Sequence, residues 1–269
     1  GSSGAYTQIV VAASAPTLFY QCSVHAGMGG QANTNTTLGS SNFDGSNQTT
    51  VKVNATAGFS IISYTGTGST NTIGHGLGVT PNVYIIKNRD ASDNWIVYTT
   101  VVDNSLDFLY LNLTSATTNS GNTAPTSSVI EISGATTNDS GNKHICYAFS
   151  EVAGYSKFGL YKANGVNTDG PFIYTGFRPA WVMIKGISLS NQNWQIFDNT
   201  RNTFNKVDNV LAPNTNAAES TDNYSVVDFL SNGFKITGLA GSFINYNSSY
   251  PDNVYFAFAE SPFKNARAR

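Results

Sequence analysis

Three side chains with an affinity for soft metals sit close together near the start of the chain. Cys22, His25 and Met28 offer a thiol, an imidazole and a thioether at three-residue intervals within FYQCSVHAGMGG. These are donors that copper prefers, and the glycines at 27, 29 and 30 would let the loop fold tightly around an ion. A trigonal copper site needs a second imidazole, and none of the 21 residues before Cys22 is His. The bland reading makes Cys22 a small buried residue, His25 a turn residue and Met28 packing.

Other stretches invite chemistry less directly. Gly74–Pro81 (GHGLGVTP) is glycine-rich, but no helix start and no Lys-Ser/Thr follows, so it reads as a tight turn with His75 bonded to turn backbone. Asn88–Asn94 (NRDASDN) is dense in oxygen donors that suit calcium, yet lacks the spacing of a calcium loop. It reads as a hairpin turn capped by its own Asp and Asn side chains. Glu151 and Glu260 stand at matching places after two AF strands, a pairing that evokes the two carboxylates of glycosidases. Ion pairs with Lys157 and Lys264 are the plainer expectation. Tyr and Phe total 30 (14 and 16), more than two small cores consume. Phe243, Tyr246 and Tyr250 in FINYNSSY are the candidate binding aromatics, suited to stacking on sugars or to protein contact.

The elements that must carry these residues are strands. Only 11% of the residues are Asp, Glu, Lys or Arg, against roughly 25% in an average domain. Asn, Thr, Ser and Gly take their place, and aromatics reach 12%. Such a mixture suits short strands joined by many turns. A net charge of −2 leaves no footprint for nucleic acid. No apolar run approaches the roughly 20 residues of a bilayer span, so no membrane insertion is expected.

A repeat of about 100 residues organises the chain from Gly58 onward. Tyr64 aligns with Tyr161, Pro81 with Pro179, Lys87 with Lys185 and Trp95 with Trp194; AFSE at 148–151 matches AFAE at 257–260. The fold expected is all-β, with tandem antiparallel β-sandwich domains of jelly-roll-like form after a short N-terminal β segment. The divisions are 1–30 as that segment, 31–57 as a linker with at most a short strand at Thr50–Val53, 58–155 as the first repeat and 156–269 as the second. Asp198–Val210 is the best candidate for a short helix, through Phe204, Val207 and Val210.

The repeat resembles structural proteins of marine, cyanophage-like bacteriophages, tail fibres and virion appendages in particular. The stretches that carry the likeness are GFSIISYTGTGS, TIGHGLGVTPNVYIIKNRDASDNWIVY, CYAFSEVAGYSKFG, GPFIYTGFRPAWVMIK, VDFLSNGFKI and FAFAESPFKNARA, within residues 58–269. The segment around Cys22, His25 and Met28 resembles the metal loop of cupredoxins and covers only the last two strands of that fold. It reads as a cupredoxin-like remnant of a partial or processed chain.

The resemblance implies a non-enzymatic virion protein, extracellular with the particle, that displays β domains for host-surface attachment. It implies a homo-oligomer, of which a trimer is the form expected in fibres, in contact with other virion proteins and with a host glycan or protein. No cofactor is expected, with copper as the alternative. A capsid decoration protein is the nearest competing reading. A secreted carbohydrate-binding or polysaccharide-active protein and a copper electron carrier are the readings from other classes.

Overall fold

A computed structural model describes residues 18–21, 29–32, 39–221, 224–239, 244–245 and 252–261, with side chains from 39 onward. Strands β1 (Leu18–Gln21) and β2 (Gly29–Ala32) pair as an antiparallel hairpin. β3 (Ser40–Asn42), β4 (Thr49–Asn54), β5 (Phe59–Thr65), β6 (Asn71–Gly74), β7 (Val83–Asn88), β8 (Ile96–Thr99), β9 (Asp107–Tyr110), β10 (Thr118–Asn119) and β11 (Val129–Ile132) follow. One helical turn, α1 (Gly134–Asn138), then precedes β12 (Lys143–Phe149). Eight strands form one antiparallel sheet in the order β10-β9-β8-β7-β12-β5-β4-β3, and β6 with β11 forms a two-stranded cover.

The second repeat comprises β13 (Ser156–Lys162), β14 (Phe172–Tyr174), β15 (Pro179–Gly186), β16 (Trp194–Asp198), β17 (Asn209–Val210), β18 (Ser220–Thr221), β19 (Val227–Leu230), β20 (Gly233–Ile236) and β21 (Asp252–Ala259). Its main sheet runs β13-β21-β15-β16, its cover β14-β20-β19, and β17 pairs with β18. The last strand of each repeat lies between the first strand and the strand that follows the Pro: β12 between β5 and β7, β21 between β13 and β15. The all-β tandem sandwich expected from the sequence is the architecture of the protein.

The duplication extends to individual hydrogen bonds. Tyr64 donates its hydroxyl to the Thr137 carbonyl at 2.6 Å, and Tyr161 donates to the Ile244 carbonyl at 2.8 Å. In each repeat the next residue is an Asn that clamps the turn after the first strand. Asn138 accepts from the Thr67 amide and donates to the Ser69 carbonyl. Asn245 accepts from the Gly165 amide and donates to the Val166 carbonyl. Both tyrosines are buried, so phenylalanine at either site would leave a buried carbonyl without its donor. Tyr64→Phe and Tyr161→Phe should each lower stability by about 1–2 kcal/mol in urea unfolding, and their effects should add in the double variant.

Among the described residues three cores follow from this geometry. Ile62, Ile73, Ile86, Ile130, Ile132 and Cys146 fill the first sandwich, and Ile173, Val182, Phe197, Phe229, Phe234 and Tyr255 the second. A third core joins the opposite faces of the two large sheets. Val83, Val97 and Leu109 of the first meet Phe158, Met183, Trp194, Val254 and Phe256 of the second. Sheets covered on both faces explain why VYIIK and WVMIK run nearly continuously apolar instead of alternating.

Two expectations are corrected. Residues 31–57 are more than a linker, because β3 and β4 extend the eight-stranded sheet at its edge. Their alternation is real but sparse: Thr49 and Val51 point inward while Thr50 and Lys52 are exposed, and polar side chains on the outer face hid it. Asp198–Val210 is not a helix; after β16 it turns and then pairs. Asn205 accepts from the Phe229 amide and donates to its carbonyl, and Val207 bridges Val227, so the segment runs extended along β19. Val207 and Val210 are buried, while Phe204 is 84% exposed. The three-residue spacing therefore reflected no helical face.

Candidate functional site

The chemically capable side chains named from the sequence are held in structural roles wherever the structure describes them. His75 is buried, accepts the Leu77 amide on Nδ1 at 3.2 Å, and lies 3.2 Å through Nε2 from the Thr126 carbonyl. An amide can only donate, so Nδ1 is the acceptor and Nε2 carries the proton. Burial holds this imidazole below the ordinary histidine pKa. His144 stacks on Tyr64 at 5.1 Å, Nδ1 meets the Asn142 carbonyl, and burial again depresses its pKa. Cys146 is a free, fully buried thiol whose pKa burial drives upward, which makes it a packing group rather than a nucleophile.

The carboxylates behave alike. Glu151 pairs with Lys157 at 2.8 Å and accepts the Phe158 amide at 3.0 Å, as expected for a strand end. Glu260 pairs with Arg178 at 3.2 Å; Lys264, its expected partner, lies outside the described residues. In the Asn88–Asn94 loop, Asn88 donates to Asp93, Asn88 Oδ1 accepts from the Asp90 amide, and Asp90 accepts from the Lys143 amide. The loop is closed by its own side chains, as the turn reading required. Lys87 and Lys185 do equivalent work in the two repeats. Lys87 donates to the carbonyls of Asn88 and Ala91, Lys185 to those of Gly186 and Gln192. Among the described residues no three His, Cys, Asp or Glu groups gather as a metal cluster. Cys22, His25, Met28, Phe243, Tyr246 and Tyr250 all lie outside the described residues.

Among the described residues an open polar cleft of about 490 Å³ could hold a ligand, and no motif announced it. It forms where β4, β5 and β12 pass one another. Register places Thr50 opposite Ser63 and Thr65 opposite Lys143, so these four side chains share one sheet face. Asn47 and Arg89 complete the wall, Arg89 being tied to Lys143 through a 2.8 Å backbone bond. Arg89 and Lys143 are exposed, and among the described residues neither forms an ion pair. Hydroxyls, an amide and two unpaired cations suit a hydrated anion such as a carboxylate-bearing sugar. The lining comes from residues 47 to 143, separate strands that only the fold brings together. A second exposed feature is the outer face of β14, where Phe172 and Tyr174 present their rings two residues apart.

No helix among the described residues is long and apolar enough to cross a membrane. The profile of a family described as a domain of unknown function (DUF7483) matches residues 32–262. No curated protein and no solved structure matches the chain.

Proposed function

We propose that this chain, which belongs to the DUF7483 family, is a non-enzymatic structural protein of a bacteriophage virion. In this reading it is a tail-fibre or appendage component that presents its sandwiches to the host surface, extracellular with the particle. The observation that carries the reading is the contrast between the side chains. His75, His144, Glu151, Lys185 and Cys146 are spent on the fold, while Arg89 and Lys143 stand unpaired over an open polar cleft. Such a surface binds without reacting. The resemblance of residues 58–269 to phage fibre proteins supports the same reading, as does the Asn- and Thr-rich, weakly charged exterior. The chain acts as a homo-oligomer, a trimer in a fibre, beside other virion proteins, and meets an acidic host glycan through the cleft.

Antibody raised against the chain should label the tail or its fibres on intact particles. Labelling of the head would favour a capsid decoration protein, and absence of the chain from purified particles would overturn the virion reading. Arg89→Ala combined with Lys143→Ala should lower adsorption to host cells about tenfold, the equivalent of about 1.4 kcal/mol for two charge-assisted contacts. Exposed Phe172 and Tyr174 favour one second reading, a secreted carbohydrate-binding protein that stacks sugars on the β14 face.

A further inference from the structure

The loop from β8 to β9 ends on a carboxylate that the fold leaves without a counter-charge. Asp107, the first residue of β9, is 4% exposed, and its Oδ2 is buried with no hydrogen-bond partner. Thr99 lies opposite it on β8 and Asn119 opposite it on β10. Among the described residues no Lys or Arg forms an ion pair with it. The charge nearest at hand has the wrong sign, since the Asp103 carboxylate lies within hydrogen-bonding reach. Burial, then the Asp103 charge, push the Asp107 carboxyl upward from its ordinary pKa.

A buried carboxylate oxygen with neither donor nor cation is a costly arrangement for a fold to hold. The Asn88–Asn94 loop shows the alternative, with Asp90 and Asp93 each satisfied by a donor. Two remedies exist for Asp103 and Asp107: a cation between the carboxylates, or a proton shared by them. The surroundings favour the cation. Ser105 Oγ donates to Asp103 Oδ1 at 2.6 Å and accepts from Asn119 Nδ2 at 2.8 Å, so the available donor atoms are all oxygen and hard. Asp103 is exposed, which gives an ion a route in and leaves room for water ligands.

We propose that Asp103 and Asp107 together bind a calcium ion at the β8–β9 loop. With two carboxylates and the remaining positions filled by water or neutral oxygen, the site belongs in the weak class, with Kd about 10⁻⁴–10⁻³ M. This assignment is independent of the attachment reading and stands or falls separately.

The test is a titration of calcium chloride into the full chain after EDTA treatment, followed by calorimetry and by thermal unfolding at neutral pH. One saturable site and a rising Tm are expected, with the folded-to-unfolded ratio increased about 11-fold at ten times Kd. Asp107→Asn and Asp103→Asn should each abolish both responses without lowering the Tm in EDTA, because the first removes the uncompensated charge and the second removes the carboxylate that repels it. Asp103 is exposed, so its variant decides the matter even if the Asp107 variant fails to fold. No calcium response in the native chain, or an undiminished response in Asp103→Asn, overturns the proposal. A gain in stability on acidification toward pH 4 with no calcium effect would assign the pair to a shared proton instead.

Discussion

Replacing Trp194 by alanine should lower stability by about 3–5 kcal/mol in equilibrium urea unfolding, the range for an aromatic core truncation. Trp194 is fully buried in the core between the two large sheets, 5.8 Å from Phe256 by ring centroid. Its indole N–H donates to the Tyr110 carbonyl at 2.9 Å, a bond from the second repeat to the first. Alanine would empty the cavity and strand that carbonyl together. Trp95 supplies an internal control. It aligns with Trp194, and each amide is held by an Asn side chain at 3.0 Å, Asn112 for Trp95 and Asn214 for Trp194. Yet Trp95 is only partly buried and is absent from the shared core. Trp95→Ala should therefore cost less than half as much. Because Trp194 couples the repeats, its loss should also separate a single unfolding transition into two. A single transition retained in Trp194→Ala, with a loss below about 1 kcal/mol, would show that the third core contributes little.

The paired tryptophans also show what the sequence made legible and what it did not. Tyr64 with Tyr161, Lys87 with Lys185 and Trp95 with Trp194 aligned as residue types; the tyrosines and lysines hold the same strand position with the same kind of partner, whereas Trp95 stands just before β8 and Trp194 opens β16. Repetition was legible because a duplicated hydrogen bond demands the same donor twice. The docking of one repeat on the other was not, because it depends on which face each apolar residue takes. A signal did exist: Ile96–Thr99 is buried at all four positions, and an unbroken apolar run implies cover on both faces. The cleft was illegible for a different reason. Thr50, Ser63, Thr65 and Lys143 become neighbours only through strand register, and no local pattern encodes that.

The second large effect concerns Lys185 and runs against the usual trend in alkali. Stability should rise by about 2 kcal/mol between pH 7 and pH 10, and this rise should vanish in Lys185→Met. Lys185 is fully buried, and its ammonium meets the carbonyls of Gln192 at 2.8 Å, Gly186 at 3.1 Å and Thr114 at 3.3 Å. These dipoles hold the group in place, but among the described residues no carboxylate pairs with it, and desolvation lowers its pKa to about 8. The unfolded chain keeps a lysine near 10.4. Between those values the unfolded state binds the extra proton, so raising the pH favours the folded state. The penalty is complete below about pH 8 and gone above about pH 10.5. Measurements should stop near pH 10, since Tyr64, Tyr84 and Tyr161 have pKa values raised by burial and resist ionisation only while folded. Tyrosine ionisation in the unfolded chain would then reverse the slope. Lys87 sharpens the comparison, because it caps the equivalent hairpin from a half-buried position. Lys87→Met should leave the rise between pH 7 and pH 10 intact, whereas an identical slope in native chain and Lys185→Met would mean that the ammonium is solvated in solution. The contrast locates the effect in the contact between repeats, where Thr114 of the first closes over an ammonium of the second.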